Sequence, residues 1–331
     1  DCFITPAIEA FADLVLPLAS CAEKDDVVMT HYAGSPVTLG SVNKAVDVGE
    51  VKSDIQILIE LGEYLEMDCL KDEDGGRLFK DEADFLTQRR ARPAKMPFED
   101  LRDQVVFQRG VNYRKYETGK LRPDGQPGFL TPTGRVELWS SQYNDNGMDP
   151  LPYYYEPDLS PRIPKKSAEE LNIMKNPRVP EELDAKWHER DLSHEEIREK
   201  YPFILSTGHR RYSSFHSEHR QIAVLREIDP NPMLEINPAD AERLGLADGQ
   251  WCEISNMFGA AKYKARIMPT IKQGHVEADH GWWFPEQDGA EPNFYGTYES
   301  NLNNMTEAFR TGQGGIGSAI KSMLCKIYPV K

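Results

Sequence analysis

From residue 261 to residue 267 apolar and basic residues alternate without a break, with Ala261, Tyr263, Ala265 and Ile267 on one side and Lys262, Lys264 and Arg266 on the other. A period of two is the mark of a strand with one buried face. Short apolar runs surround it: Phe203-Ile204-Leu205 ending in Ser206-Thr207-Gly208, Leu234 with Ile236, Trp251 to Ile254, and a further run from Val276. One helix signal lies among them. Asn237 stands as its N-cap, Pro238 takes the first helical position, where a missing N–H costs nothing, and Gly245 ends it. Many short strands around one short helix predict a compact β-barrel over residues 201–331.

Residues 1–70 read as the end of an α/β domain. Glu9 to Asp13 suggests a helical turn, and Leu14 to Leu16 an apolar strand closed by Pro17. Ser53-Asp54-Ile55-Gln56 has the form of a capping box. Behind it Ile55, Leu58, Ile59, Gly62 and Leu65 recur at helical spacing, which predicts a helix burying one face on a sheet. Residues 71–200 read as an extended connector. Its first part is charged and aperiodic and predicts surface helices and loops. Pro132-Thr133-Gly134-Arg135 is a turn, followed by a short strand with Val136, Leu138 and Trp139. Pro150, Pro152 and Pro157 then interrupt a Tyr-rich stretch and block regular helix. From Lys165 to Lys200 the chain is charge-dense, with short helices expected.

The formal net charge of −15 argues against general nucleic-acid binding, which needs a basic face, and no apolar run is long enough to span a membrane. The five cysteines form no CxxC pair and lie far apart, so each reads as a small buried hydrophobe, not as a metal or iron–sulfur ligand. The chain opens on Asp1, not on a methionine, which suggests a fragment or a processed chain.

Five stretches carry candidate chemistry. Ser206-Thr207-Gly208-His209-Arg210-Arg211 follows a strand, where small residues admit a phosphate and Arg supplies bidentate donors. His216 and His219, with Ser217 and Arg220 nearby, read as hydrogen-bonding groups more readily than as metal ligands, because no carboxylate or Cys supports them. Asn237 and Asp240 are explained by helix capping and first-turn charge, or by contact with the polar edge of a guanine or pterin. In His280-Gly281-Trp282-Trp283-Phe284-Pro285-Glu286, three successive aromatics are not expected to share one core, so at least one covers a cleft or an interface. Ser300-Asn301-Leu302-Asn303-Asn304 offers neutral amides, suited to turns or to a ligand rich in ring nitrogens. Residues 311–317 form a Gly-rich run ahead of an expected helix reaching Leu324.

In order, these stretches resemble one family. The string from Phe203 to Arg211, then His216-Ser217, Leu225-Arg226, Pro232 to Leu244, Asp248-Gly249, His280-Gly281-Trp282-Trp283 and Ser300-Asn301-Leu302-Asn303 resembles the dinucleotide-binding domain of the molybdopterin oxidoreductases typified by dimethyl sulfoxide reductase. Upstream, Ala12-Asp13-Leu14-Val15-Leu16-Pro17 with Glu23, and Thr131-Pro132-Thr133-Gly134-Arg135-Val136-Glu137, are similar to further segments of that family. The resemblance implies an α/β fragment followed by a mainly β domain, a six-stranded double-psi β-barrel. It implies the C-terminal cofactor-binding part of an oxidoreductase with a bis-(molybdopterin guanine dinucleotide) cofactor carrying molybdenum or tungsten. The residues it turns toward that cofactor are Thr207, Gly208, His209, Arg210, Arg211, His216, Ser217, Asn237, Asp240, His280, Trp282, Asn301 and Asn303. None of them is read as a catalytic residue or a metal ligand. The metal ligand and a [4Fe-4S] cluster belong, by resemblance, upstream in the same polypeptide, with an iron–sulfur electron-transfer subunit as a plausible partner. Localisation stays open, because a family export signal would also lie upstream. The HGWWFPE string resembles the branch holding catechol dehydroxylases, transhydroxylases, acetylene hydratase and polysulfide reductases. The alternatives are a free-standing double-psi barrel acting as an adaptor and, ranked last, a hydrolase or transferase using His216 or His280 as general base.

Overall fold

The computed structural model describes residues 1–29, 38–110, 113–145, 147, 149–151, 194–207, 211–306 and 323–330. Two compact units result, one of Asp1–Ile4 with Ala12–Val136, the other of Thr5–Phe11 with Glu137–Lys331.

The first unit holds a three-stranded antiparallel sheet in the order β1 (Asp26–Met29), β2 (Thr38–Val42), β3 (Val106–Gln108). The helix Asp54–Tyr64 begins as expected: the Ser53 hydroxyl accepts the Gln56 N–H at 3.0 Å. Its buried side is narrower than its periodicity predicts. Ile55 and Gly62 are buried, whereas Leu58 and Leu65 are exposed. Leu86, Ala91, Phe98 and Leu101, from the charged stretch read as surface structure, complete the core with Val27, Leu39 and Ile55. Each short helix there needs only one or two buried side chains, and so sparse a pattern is hidden by the charges around it.

Two expected strands are absent. Leu14, Val15 and Leu16 are exposed and unpaired with any strand, and the nearest ladder contact is an isolated bridge from Leu18 to Lys52. Val136, Leu138 and Trp139 are likewise exposed and irregular. Neither segment finds a neighbouring strand among the described residues, and an apolar run alone does not supply the ladder partner a strand requires.

The second unit is built on a closed six-stranded barrel. Its strands are β4 (Phe203–Thr207), β5 (Met233–Ile236), β6 (Trp251–Ser255), β7 (Ala260–Ile267), β8 (His275–Ala278) and β9 (Met323–Pro329). They close in the order β4-β8-β5-β7-β6-β9. β4–β8 and β5–β7 are parallel and the other four contacts antiparallel, the interleaved arrangement of a double-psi barrel. The alternation read in residues 261–267 holds: Ala261, Tyr263 and Ala265 point into the core, and the basic residues lie between them on the outer face. Gly245 ends the helix Pro238–Leu244 at φ 66°, a conformation glycine adopts without strain.

The closing strand departs from expectation. The helix expected to run to Leu324 does not reach it, because a strand begins at Met323. Met323, Cys325 and Ile327 alternate into the barrel, and the strand pairs with β4 on one side and β6 on the other. The Gly-rich run 311–317 lies outside the described residues. So do the Tyr-rich stretch from residue 152 and most of the charge-dense connector, whose last part forms the helix His194–Lys200.

Candidate functional site

Because β4 and β8 run parallel, with Thr207 opposite Ala278, the loops leaving both strands emerge at the same rim of the barrel. β5 runs antiparallel to β8 and therefore enters at that rim, with Leu234 opposite Ala278. Register alone thus brings residues 211–222, 229–233 and 279–286 together.

Asp279, the first residue after β8, joins them. Its carboxylate accepts Arg211 Nε at 2.6 Å and the Met233 N–H at 2.9 Å, and its carbonyl accepts the Tyr263 hydroxyl at 2.8 Å. Arg211 also reaches Asp229 at 3.4 Å, and Ser213 donates to the same Asp229 carboxylate. Burial works against the charge on Arg211, but the Asp279 carboxylate outweighs it and holds the guanidinium pKa above its ordinary value. Tyr263 is fully enclosed, and burial pushes its hydroxyl well above the ordinary phenol value.

Above this anchor two histidines meet. His216 Nδ1 lies 3.2 Å from His280 Nε2, so one of the two nitrogens must carry the proton between them. Ser217 accepts the Trp283 indole N–H at 3.3 Å. Gly281 sits between these contacts at φ 59°, and a Cβ there would lie 3.1 Å from the His216 carbonyl. The two loops approach closely because that position has no side chain.

The aromatic run after His280 is buried throughout: Trp282, Trp283 and Phe284 are all enclosed, so none is left to cover a cleft. The expectation failed because it assumed regular backbone. The left-handed turn at Gly281 takes the chain out of strand geometry, and Trp283 turns away from Trp282 and Phe284. Trp282 lies beneath Arg220, Trp283 packs edge-on against Tyr295, and Phe284 meets Trp282 edge-on. Arg220 is 3% exposed, stacks 3.8 Å from the Trp282 ring centre and donates to the His280 carbonyl at 3.4 Å. Burial lowers its pKa to about 10. Arg226 pairs with Glu286 at 2.7 Å and also faces Trp282.

The Asn-rich stretch reaches the same end of the barrel through β7, on which the helix Thr297–Ser300 and the turn Leu302–Met305 pack. The Asn301 side chain caps that turn by accepting the Asn303 N–H at 2.9 Å. Asn303 itself is exposed.

The thirteen residues anticipated from sequence therefore divide. Thr207, Arg211, His216, Ser217, His280, Trp282, Asn301 and Asn303 gather at one rim. Asn237 and Asp240 follow the far end of β5 and lie at the opposite rim. There Asn237 bonds Ala239 N and Ile271 O, and Asp240 bonds Arg243 and, at 2.6 Å, the Gly274 N–H ahead of β8. Gly208, His209 and Arg210 lie outside the described residues. Asp279 escaped the sequence reading, Tyr263 entered it only as an inward position of its strand, and Arg220 only as part of a polar stretch. An acid directly after a strand end is a visible signal, but its partner Arg211 is 68 residues away.

At this same rim, among the described residues, His219 Nδ1, Arg220 Nε, Trp282 Nε1 and Ser300 Oγ are buried without a hydrogen-bond partner. Buried polar atoms are nearly always paired, so four at one end of one barrel point to a missing polar occupant.

Residues 203–324 match the family model of the molydopterin dinucleotide binding domain. Residues 203–324 thus form a molydopterin dinucleotide binding domain, and the chain as a whole is similar to molybdopterin oxidoreductases of the dimethyl sulfoxide reductase family. It is 28% identical over 302 residues to the acetylene hydratase of Syntrophotalea acetylenica, covering 91% of this chain and 35% of that protein. The solved acetylene hydratase from Pelobacter acetylenicus superposes with a TM-score of 0.71 at 25% identity, over 95% of this chain and 38% of that one. Dopamine dehydroxylase of Eggerthella lenta is 29% identical over 237 residues, 65% of this chain and 20% of that protein. Dimethyl sulfoxide reductase DmsA of Escherichia coli (strain K12) is 23% identical over 300 residues, 86% of this chain and 32% of that protein. This chain thus spans about a third or less of the length of these relatives.

Proposed function

We propose that the rim formed by the ends of β4 and β8 holds part of a bis-(molybdopterin guanine dinucleotide) cofactor carrying molybdenum or tungsten. The observation that carries this reading is the set of buried, unpartnered polar atoms at the rim of a domain matched to molybdopterin dinucleotide binding. Pterin and guanine are flat, dense in donors and acceptors, and joined by a pyrophosphate. The residues present fit such a group, with an imidazole pair, Ser217, Asn301 and the Trp282 indole N–H for the rings and the Arg220 guanidinium for a phosphate. Thr207, Gly208, His209, Arg210, Arg211, His216, Ser217, His280, Trp282, Asn301 and Asn303 make up the proposed site. Asn237 and Asp240 are left out of it, since both already have their side-chain partners at the other rim.

When bound, the metal centre supplies the redox or hydration chemistry. Residues of this chain bind, orient and exclude water. The Asp279–Arg211 pair fixes the rim, and the His216–His280 bond holds one proton at a defined place within it. We place the metal ligand and a [4Fe-4S] cluster in the remaining part of the intact polypeptide. We infer an activity in the branch that includes acetylene hydratase and dopamine dehydroxylase, with an iron–sulfur subunit as electron partner where the reaction is a redox one.

The test is acid treatment of the purified full-length protein. Released guanosine monophosphate, with molybdenum or tungsten by elemental analysis, is the expected result. Metal without guanosine monophosphate, or neither, refutes the dinucleotide reading.

A further inference from the structure

The barrel rim leaves the densest positive charge of the chain without a role. From Thr87 to Phe98 no carboxylate occurs, yet Arg89, Arg90, Arg92 and Lys95 do, in a molecule of net charge −15. Arg89, Arg92 and Lys95 line one cleft of about 570 Å³ together with Arg109, just beyond β3, and Phe107. This cleft belongs to the first compact unit, not to the barrel.

The backbone beneath it is fixed. Ala91 N–H donates to the Leu86 carbonyl at 2.7 Å, closing a wide turn, and both residues are fully buried. The turn Arg92–Ala94 then ends on Lys95 in the left-handed conformation, φ 56°. The chain bends twice within ten residues, so cations from successive turns face one opening while Leu86, Ala91 and Phe98 hold the turns to the core.

Among the described residues none of the four cations has an ion pair, and Arg89 makes only a ring contact, 5.3 Å above Phe79. Several other cations of the unit behave differently. Lys24, Lys44, Lys52, Lys71, Arg77 and Arg102 are each paired with a carboxylate. In so acidic a chain, a cleft kept free of carboxylates concentrates positive potential that an anion relieves. Guanidinium forks match phosphate oxygens two at a time, and the lysine adds a point charge.

We propose that this cleft binds a compact, multiply charged oxyanion of the pyrophosphate class, free or as a phosphoanhydride ester whose organic part lies over Phe107. The full chain is titrated calorimetrically with inorganic pyrophosphate, and in parallel with guanosine diphosphate. The wild type is expected to bind both. Arg89→Gln, Arg92→Gln and Arg109→Gln combined should weaken pyrophosphate binding at least about tenfold. Arg90→Gln, an adjacent exposed charge outside the cleft, should change it by less than about twofold. The triple variant should melt like the wild type, because all three side chains are exposed. Absence of pyrophosphate binding by the wild type overturns the proposal, as does nucleotide binding without pyrophosphate binding. Equal loss in Arg90→Gln would reduce the effect to general charge attraction. Binding kept in the triple variant but lost in Arg226→Gln would move the anion to the barrel rim. A Glu-rich peptide binding in preference to pyrophosphate would make the cleft a protein-docking surface instead.

Discussion

The barrel and the three-stranded unit meet the same demand, covering apolar surface with few residues, by different means. The barrel has no free edge, and among the described residues eighteen buried side chains form one continuous core in it. The sheet β1-β2-β3 is open at both sides and rests on seven, and its edge strands expose Val28 and Val106. Around it run ion pairs such as Lys24–Asp54, Arg77–Glu63 and Arg102–Asp25, all at least partly exposed and each a weak contributor in water. The barrel has exposed pairs of its own, such as Lys262–Glu299, but it adds an enclosed one, Arg211 with Asp279 at its rim. Closure lets the barrel carry buried polar groups that a thin open sheet does not tolerate. The candidate site therefore sits where stability is in surplus.

The sharpest way to break this contrast is Asp279→Ala. That change leaves Arg211 buried beside Asp229 alone and removes an acceptor from the Met233 N–H. Losing one partner of a buried pair costs about 3–5 kcal/mol. Urea unfolding followed at the barrel should show a loss of that size. A loss below about 1 kcal/mol would mean that the Asp279 pair behaves like the exposed pairs of the sheet.

The next effect concerns where a core truncation is felt. Leu39→Ala removes a fully buried side chain of β2, at a cost of about 2–5 kcal/mol. With so small a core, the expected result is faster amide exchange throughout β1, β2 and β3 and unchanged exchange in β5 and β7. Equal acceleration in both units would show that they unfold as one.

What can be read in the sequence follows the same division. The barrel's strands are short apolar runs around one that alternates with a period of two, so β4 through β8 are visible. So is the Asn237–Pro238 start of its helix. β9 also alternates, but the Gly-rich run before it suggests a helix N-terminus, and only its pairing with β4 and β6 identifies it as the strand that closes the ring. In the first unit the core is made of isolated residues such as Leu86 and Phe98, spaced among charges with no period to detect. Motif order brings the site residues to attention. It does not assign them to rims, because that assignment depends on strand direction: β5 runs against β8, which carries Asn237 and Asp240 away from His216.

A third effect separates the units by pH. Burial raises the Cys252 thiol to about 12, and raises Cys325 and Tyr263 well above their ordinary values of 9.0 and 10.0. All three folded pKa values exceed the unfolded ones. The stability these groups contribute is therefore complete below pH 9 and falls above it, as the unfolded chain releases the protons first. Between pH 9 and 10 the barrel should lose roughly 2 kcal/mol, and Cys252→Ala with Cys325→Ala should remove most of that slope. In the first unit Asp54 is shifted the other way, held low by the hydrogen bond from Lys24, so its contribution is lost in acid, below the ordinary 3.8. Thermal melts across both windows, read separately for the two units, check the opposite signs.

The smallest expected change in stability is also the most informative. Among the described residues, Arg220 is a buried cation with no ion-paired carboxylate, an unpaired Nε and a ring beneath it. Were it there for stability alone, removing it would cost as much as other buried charges do. Its desolvation is already visible in a pKa lowered to about 10, so Arg220→Met, which keeps the length and gives up the charge, should leave the cofactor-free chain within about 1 kcal/mol of wild type or raise its stability. Cofactor retention in the full-length protein, measured as guanosine monophosphate per polypeptide, should fall at the same time. Arg220→Lys keeps a charge but cannot stack a planar guanidinium on Trp282, and is expected to restore retention only in part. Destabilisation of several kcal/mol with normal retention would make Arg220 a structural element of the rim. Stability held while retention falls is the pattern of a group kept for its ligand, at a place in the molecule that can bear the cost.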